Sequence, residues 1–506
     1  MTRPTLGWSD LRGARVGLWG LGREGHASLR RLRAMGMEPV LVDDSPGEDG
    51  VLKTADGGLD ALMRCEVVIK TPGITPYGPE AAQLRAAGVT LAGGLGLWIN
   101  ETDLTRVVYV TGTKGKSTTS SILGHLLAGL DRKILVGGNF GVAPYDPQQA
   151  DDYDYWVIEV SSYIAADLAV TPPVTAVTSL HPDHLPWHGD VERYYSDKLS
   201  ATSQPGADLT VANGDSDLLR ERSFLLGPRV EWVRETDDAG ATWMDHLGLP
   251  GRHNRRNALI ARAVLSALGA AAGDETLVRQ AADDERLASA ASAFTPLPSR
   301  LTPLGTVDGV TFIDDSLSTN VLPTIAALDS FPGRRVALIV GGQDRGIDYA
   351  PLAEGVHRRE EPTFVLTLPD SGPRISRAFK AAETTAGHRF PDARADPADP
   401  ASSSRPPDRR FSSTSAGTAS FSTLADRELS GRAARRGFSG VTDCPDLETA
   451  VARAFAWAKP DGIVLLSPAA PSFGHFRDYR DRGDHFAAAM RALKRENHRD
   501  DRKSKK

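Results

Sequence analysis

Cysteine is nearly absent from this sequence, with two in 506 residues. Cys65 and Cys444 lie far apart and outside any CxxC spacing, which argues against a disulfide framework and against a cysteine-built zinc knuckle. So few thiols fit a reducing compartment. No uninterrupted apolar run reaches the ~18 residues a membrane-spanning helix needs. The opening stretch MTRPTLGWSDLRGARV has no apolar segment of the kind a secretory signal carries. A basic surplus is also missing. The net charge of -6 argues against a nucleic-acid partner, and the basic end RENHRDDRKSKK reads as a solvated tail. A cytoplasmic protein acting on small molecules, with no membrane and no nucleic acid, is the expectation.

The composition that remains, 40% hydrophobic and 25% charged, is ordinary for globular protein. The length exceeds what one core supports, so several domains are expected. Short β-branched runs alternate with amphipathic stretches: ARVGLWG, EPVLVDD, CEVVIKT and VTLAGG, then RVVYVTG, DYWVIEV, TAVTSL and ADLTVAN, then GVTFIDD, RVALIVGG, TFVLTL and GIVLLSP. This alternation predicts α/β domains with parallel sheets covered by helices. Breaks near Asn100–Arg106 and Phe294–Arg300 divide the chain into 1–103, 104–296 and 297–506. The segment 387–436 is rich in Ser, Pro, Asp and Arg without apolar periodicity and reads as a disordered surface insertion.

The strongest chemical signal is VVYVTGTKGKSTTSSILGHLL, residues 107–127. A strand runs into a loop of Gly112, Thr113, Lys114 and Gly115, and Lys116, Ser117 and Thr118 open a helix. Loop N–H groups and the positive helix end suit a phosphate. Lys116 would reach β/γ-phosphates, and Ser117 would ligate Mg²⁺ or a phosphate oxygen. The strict G-x-x-x-x-G-K-[ST] pattern fails, since it needs glycine at Val110.

Two further clusters follow strands. DYWVIEVSS delivers Glu159 to a strand end, where a carboxylate can hold a nucleotide's Mg²⁺. HPDHLPWHGDVERYYSDKL gathers His181, Asp183, His184 and His188, with Lys198 on a helix beyond. A transition-metal site and a Mg²⁺ site with fewer protein ligands both fit this spacing. Near the start, Gly20-x-Gly22-x-x-Gly25 follows a strand, and Asp43 and Asp44 end the next one. That is the dinucleotide fingerprint, compatible with a nicotinamide-dependent dehydrogenase. The same cradle recognises a pyrophosphate and ribose in any nucleoside diphosphate.

Together these segments resemble the Mur ligase family. TGTKGKS is similar to its TGTNGK[ST] signature, with Lys114 where asparagine is usual. VIEVSS, PDHL, YYSDKLSAT, GRHNRRNALIA, PLPSRL and TFIDDSLSTN resemble further family segments in the same order. TPGITP and LLSPAAPSFGHFRDYRDRGDHF are most similar to the glutamate-adding members. The resemblance implies a Rossmann-like N-terminal domain for a UDP substrate, a central P-loop ATPase-like domain, and a C-terminal Rossmann-like domain for the amino acid. It implies a monomer that uses ATP to join glutamate to UDP-N-acetylmuramoyl-L-alanine through an acyl phosphate.

Residue by residue, Ser117 and Glu159 would hold one Mg²⁺. His184 and a carbamylated Lys198 would hold a second, with Lys116 on the transferring phosphoryl group. Asn257, Arg300 and Asp315 match positions for adenine, phosphate and ribose. Asn139 matches one near the muramoyl group, and Gly20, Gly22, Arg23, Asp43, Thr71 and Gly73 fall in the UDP cradle. At the amino-acid end Thr319 and Ser472 are kept. Leu317 and Arg345 stand where the D-glutamate enzyme has lysines, and Tyr479 where it has phenylalanine. A guanidinium grips carboxylate as a planar fork, so this clamp differs from that of the D-glutamate enzyme and is compatible with a different stereoisomer of the amino acid, L-glutamate. The WGLGREG start resembles the subgroup with that preference. The D-glutamate enzyme, and another Mur-type or folylpolyglutamate-type ligase, are the alternatives.

Overall fold

The computed structural model describes residues 3–45, 50–237, 240–387 and 437–504; nearly all of the insertion read at 387–436 lies outside them. The chain divides at Pro296/Leu297 into two compact units.

The first unit carries two sheets. β1 (Val16–Trp19), β2 (Val40–Val42), β3 (Val67–Lys70) and β4 (Thr90–Ala92) form a parallel sheet in the order β2-β1-β3-β4. β5 (Val107–Thr111), β6 (Ile134–Gly138), β7 (Tyr155–Glu159), β8 (Val174–Val177), β9 (Leu209–Asn213) and β10 (Arg229–Val233) form the second, also parallel, as β10-β9-β8-β5-β7-β6. Parallel pairing requires a crossover after each strand, so every strand points its carboxyl end to the same edge. β5 lies inside this sheet and is buried along its whole length. Val108 and Val110 pack on one side with Leu126 and Leu127 of the helix Lys116–Gly129 and Val264 of the helix Arg252–Ala272. On the other side Val107 and Tyr109 join Leu18, Ile69, Leu95 and Ile99 in one apolar cluster. The two sheets therefore share a core across the break read at Asn100–Arg106. Each such fully buried aliphatic side chain contributes ~1.5–3 kcal/mol.

The second unit holds β11 (Thr302–Val307), β12 (Val310–Asp314), β13 (Val336–Gly342), β14 (Thr363–Asp370), β15 (Phe438–Asp443) and β16 (Ile463–Leu466), ordered β11-β12-β16-β13-β14-β15. The expectation of wholly parallel sheets fails here, because β11 runs antiparallel to β12. Asp308 and Gly309 join them with φ of 44° and 83°. Two residues at positive φ make a hairpin turn, and a two-residue connection permits only antiparallel pairing. The other pairs are parallel.

All twelve strand segments read from the sequence form strands. The additional four, β6, β10, β11 and β15, are all sheet edges. Their half-exposed patterns, such as β10 and β11, lack the continuous apolar signature of buried strands.

One close approach fixes the first turn. A Cβ on Gly25 would lie 2.1 Å from the Gly20 carbonyl oxygen, whereas one on Gly22 meets nothing within 4 Å. Gly25→Ala should therefore destabilise the protein by roughly 1–3 kcal/mol through overpacking, while Gly22→Ala stays near wild type. Urea midpoints measure both.

Candidate functional site

The loop after β5 is shaped by its neighbours on β8. Gly112 sits at φ 134°, and a Cβ there would come within 2.2 Å of Thr178 Oγ1, so glycine is required on both counts. Thr178 Oγ1 lies 2.6 Å from the Lys114 carbonyl and 3.1 Å from that of Thr111. Ser179 Oγ accepts from the Lys114 N–H at 2.8 Å. Thr113 Oγ1 meets the Tyr194 hydroxyl at 2.8 Å and accepts from the His181 N–H at 2.9 Å. Thr178, Ser179 and Tyr194 escaped the motif reading; their signal is hydroxyls just beyond a neighbouring strand and on the lysine-bearing helix. Behind the loop the Lys116–Gly129 helix opens with no side-chain cap, presenting its N-terminal dipole. Asn257 stands beside Gly115, its Oδ1 2.9 Å from where a Cβ would be.

Two lysines converge on one carbonyl. Lys116 Nζ donates to Gly112 O at 2.9 Å, and Lys198 Nζ to the same oxygen at 3.1 Å. Lys198 is 2% exposed. Desolvation first, then the Lys116 and Lys114 charges, push its ammonium well below the usual lysine range, against the pull of Asp183 and Glu159. Glu159, ending β7 beside β5, is 1% exposed. Its Oε1 accepts from Asn139 Nδ2 at 2.7 Å, while Oε2 is buried with no hydrogen-bond partner. Ser117 and Thr118 follow Lys116 in the helix, and Ser117 is buried.

His184 occupies the left-handed region at φ 53° and is half exposed. Desolvation, followed by the lysine charges, lowers its pKa, with Asp183 opposing. Asp183 also pairs with Lys114 Nζ at 3.4 Å. His188 departs from the cluster seen in sequence. It is buried, with Nδ1 2.7 Å from Asp197 and Nε2 2.9 Å from Ser162 Oγ. Among the described residues no group of three or more His, Cys, Asp or Glu is placed to hold a metal ion, so the four-residue transition-metal arrangement does not form.

At the carboxyl edge of the first sheet, a cavity of about 670 Å³ is lined by Gly20, Gly22, Asp43, Thr71 and Gly73, together with Trp19. The Asp43 carboxylate accepts from the Leu21 and Ser45 N–H groups, and these bonds outweigh burial to hold its pKa low. Arg23 does not line this cavity. Its guanidinium donates to the carbonyls of Asn139 at 2.8 Å and Gly138 at 3.2 Å.

In the second unit the remaining candidates follow the carboxyl ends of three adjacent strands: Asp315, Leu317 and Thr319 after β12, Arg345 after β13, and Ser472 and Tyr479 after β16. Arg345 is exposed and donates to Gln343 Oε1 at 3.1 Å, and Ser472 is buried. Arg300 precedes β11. Asp315 is buried, accepting from Ser318 Oγ at 2.5 Å, Ser467 Oγ at 2.7 Å and Leu301 N–H at 3.2 Å. The ribose contact implied for it would compete with these three donors. Burial outweighs them and raises its pKa to about 7.

Residues 110–265 match the Mur ligase middle domain. The chain is 38% identical to the UDP-N-acetylmuramoyl-L-alanine–L-glutamate ligase of a Micromonospora species, over 96% of this chain and 98% of that protein. The namesake from Salinispora tropica is 36% identical over 96% and 98%, and that from Xanthomonas axonopodis pv. citri 34% over 95% of each. This chain belongs to the Mur ligase family. The UDP-N-acetylmuramate–alanine ligase MurC of Thermotoga maritima shares the fold, with a TM-score of 0.51 at 16% identity over 95% of this chain and 99% of that one.

Membership in the Mur ligase family carries the reaction class, ATP-dependent ligation. A divalent cation fits the residues present, because the unpartnered Glu159 Oε2 is a buried anionic oxygen that a cation would satisfy. Glu159→Gln keeps an acceptor for Asn139 but removes the charge. Folded stability should stay within about 1 kcal/mol of wild type. Mg²⁺-dependent ATP affinity should fall at least ~10-fold, as read by calorimetric titration with and without Mg²⁺.

Asp315 supplies a second expectation. Its folded pKa lies above the ordinary value of 3.8. The folded state therefore holds a proton that the unfolded state releases, and stability falls as pH rises from ~4 to ~7, by up to about 1.4 kcal/mol per pH unit. Urea unfolding of the second unit's transition across that range should show this slope, and Asp315→Asn should flatten it.

Proposed function

We propose that this Mur ligase joins L-glutamate to UDP-N-acetylmuramoyl-L-alanine in peptidoglycan precursor synthesis, converting ATP to ADP and phosphate. Identity of 34–38% over nearly the whole chain to relatives bearing that name supports the reading. The phosphate loop, Glu159 and Lys198 supply the chemistry.

The alanyl carboxylate oxygen attacks the γ-phosphorus of ATP, the bond to the bridging oxygen breaks, and ADP departs. The acyl phosphate that forms has an electrophilic carbonyl carbon. The glutamate amine adds to it, loses a proton and expels phosphate, leaving the amide. Lys116 and the helix end offset negative charge on the transferring group. Mg²⁺, when bound, neutralises phosphate charge further: Ser117 and Glu159 would hold one ion, and His184 with carbamylated Lys198 a second. An amine pushed toward its neutral form by burial can add CO₂ with loss of one proton, which would turn Lys198 from a neutral amine into an anionic ligand. The cavity around Gly20, Asp43 and Thr71 would take the UDP group, with Asn139 toward the muramoyl part. Leu317, Arg345 and Tyr479, with Thr319 and Ser472, would select the L-isomer, and Asn257, Arg300 and Asp315 would hold the rest of ATP. A cytoplasmic monomer of three domains, 1–103, 104–296 and 297–506, completes the proposal. Among the described residues no helix is long and apolar enough to cross a membrane.

Phosphate release from ATP by purified protein, with UDP-N-acetylmuramoyl-L-alanine and each glutamate enantiomer offered separately, tests this reading. L-glutamate should support release and D-glutamate should not. Lys116→Ala should lower the rate by at least ~10³-fold. Turnover with the D-isomer alone would overturn the stereochemical assignment, and no turnover with either would overturn the reaction.

A further inference from the structure

Between the cavity of the first sheet and the lysine-carboxylate site lies the short helix Leu185–His188, which begins directly after His184. Its last two residues, whose rings meet at 4.5 Å, hydrogen-bond to different elements. Trp187 Nε1 donates to the Gly73 carbonyl at 3.1 Å, and the Thr75 hydroxyl donates to the Trp187 carbonyl at 3.1 Å. Gly73 lines the cavity. The indole stacks on Tyr163 at 4.5 Å and takes the edge of Tyr77 at 5.8 Å.

His188 is 2% exposed and joins two elements of the catalytic edge. Ser162, 2.9 Å from Nε2, opens the helix that follows Glu159. Asp197, 2.7 Å from Nδ1, immediately precedes Lys198 in the helix Val191–Leu199. A carboxylate only accepts, so Nδ1 carries a proton, and in the neutral ring Nε2 accepts from the Ser162 hydroxyl. The other Asp197 oxygen accepts from the Tyr77 hydroxyl at 2.7 Å, which closes the circuit back to the segment containing Gly73 and Thr75. The Arg193 guanidinium covers the Tyr77 ring at 4.8 Å.

We propose that Trp187 and His188 form a positioning bridge that ties the cavity lip at Gly73–Tyr77 to Lys198 and to the segment after Glu159. Neither residue touches the reacting atoms. The bridge acts through Asp197 and Ser162, so a shift at the lip is transmitted to the lysine rather than absorbed by a loop. A rotation about the Val191–Leu199 helix would displace Lys198 Nζ, and misplacement of about 1 Å is enough to cost ~10²-fold in rate. The kinetic part of this proposal rests on the ligase reading above; its structural part does not.

Two measurements on the full chain separate them. Amide hydrogen exchange without substrate should quicken at least ~5-fold in both 71–77 and 191–199 for Trp187→Phe. Quickening confined to 71–77 would show no bridge. In the phosphate-release assay, His188→Ala should lower kcat at least ~30-fold with KM for ATP within ~2-fold of wild type. His188→Asn, whose amide N–H can reach Asp197, should recover to within ~5-fold of wild type at a similar melting temperature. Full activity in His188→Ala, or an Asn variant that is folded but as slow as Ala, would overturn the proposal. Should the Ala variant fail to fold, the Asn variant and Ser162→Ala carry the same test. A wild-type protein that releases no phosphate would sink the ligase reading alone, since hydrogen exchange still reads the bridge.

Discussion

Positive charge crowded around a single glycine carbonyl is the constraint on which the rest of this molecule depends. Lys116 and Lys198 both donate to Gly112 O, and Lys114 stands on the same loop. Like charges this close repel strongly where water is scarce. Two features relieve that strain. Burial holds the Lys198 amine toward its neutral form, and the carboxylates of Glu159 and Asp183 lie within the same electrostatic neighbourhood. A triphosphate brought to the loop meets an excess of donors and a helix dipole already oriented, which is how preorganised electrostatics accelerates phosphoryl transfer.

Holding those groups in place falls to the parallel sheet and to the packing beneath it. β8, β5, β7 and β6 are neighbours, so the residues that follow them meet at one edge. Asn139 then clamps Glu159 from the adjacent strand end. The first sheet is joined to this frame by a shared apolar cluster and by an ion pair of the buried Lys70 with the partly buried Asp167 at 2.5 Å. Nearby Glu24, desolvated by burial, is raised to about 7 despite Arg23 and Lys70. Buried ionic groups of this kind specify one arrangement more than they add stability, which suits a surface that must keep a nucleotide cavity in register with a catalytic edge.

Much of the fold was legible because buried parallel strands write themselves as continuous apolar runs. β1, β5, β7 and β13 are of that kind, buried at all or nearly all positions. The edge strands β10 and β11 were not, since a strand paired on one side with a wet face has no such run. The phosphate loop was legible because a phosphate demands glycine at fixed spacing before a helix. Glu159 was legible as the end of its strand. Thr178, Ser179 and Tyr194 were not, because a hydroxyl that braces a loop is indistinguishable in sequence from one that faces water. His188 shows the opposite failure. Its spacing beside His181 and His184 suggested a ligand, yet its ring is turned to Ser162 and Asp197. Spacing in a loop does not say which way a side chain faces.

The central claim is that ATP activates a carboxylate by phosphorylating it, and oxygen carries a record of that step. UDP-N-acetylmuramoyl-L-alanine labelled with ¹⁸O in its terminal carboxylate should pass one labelled oxygen to the inorganic phosphate released during ligation to L-glutamate, as read by mass spectrometry. Release of phosphate free of ¹⁸O, at the rate of amide formation, would contradict an acyl-phosphate route.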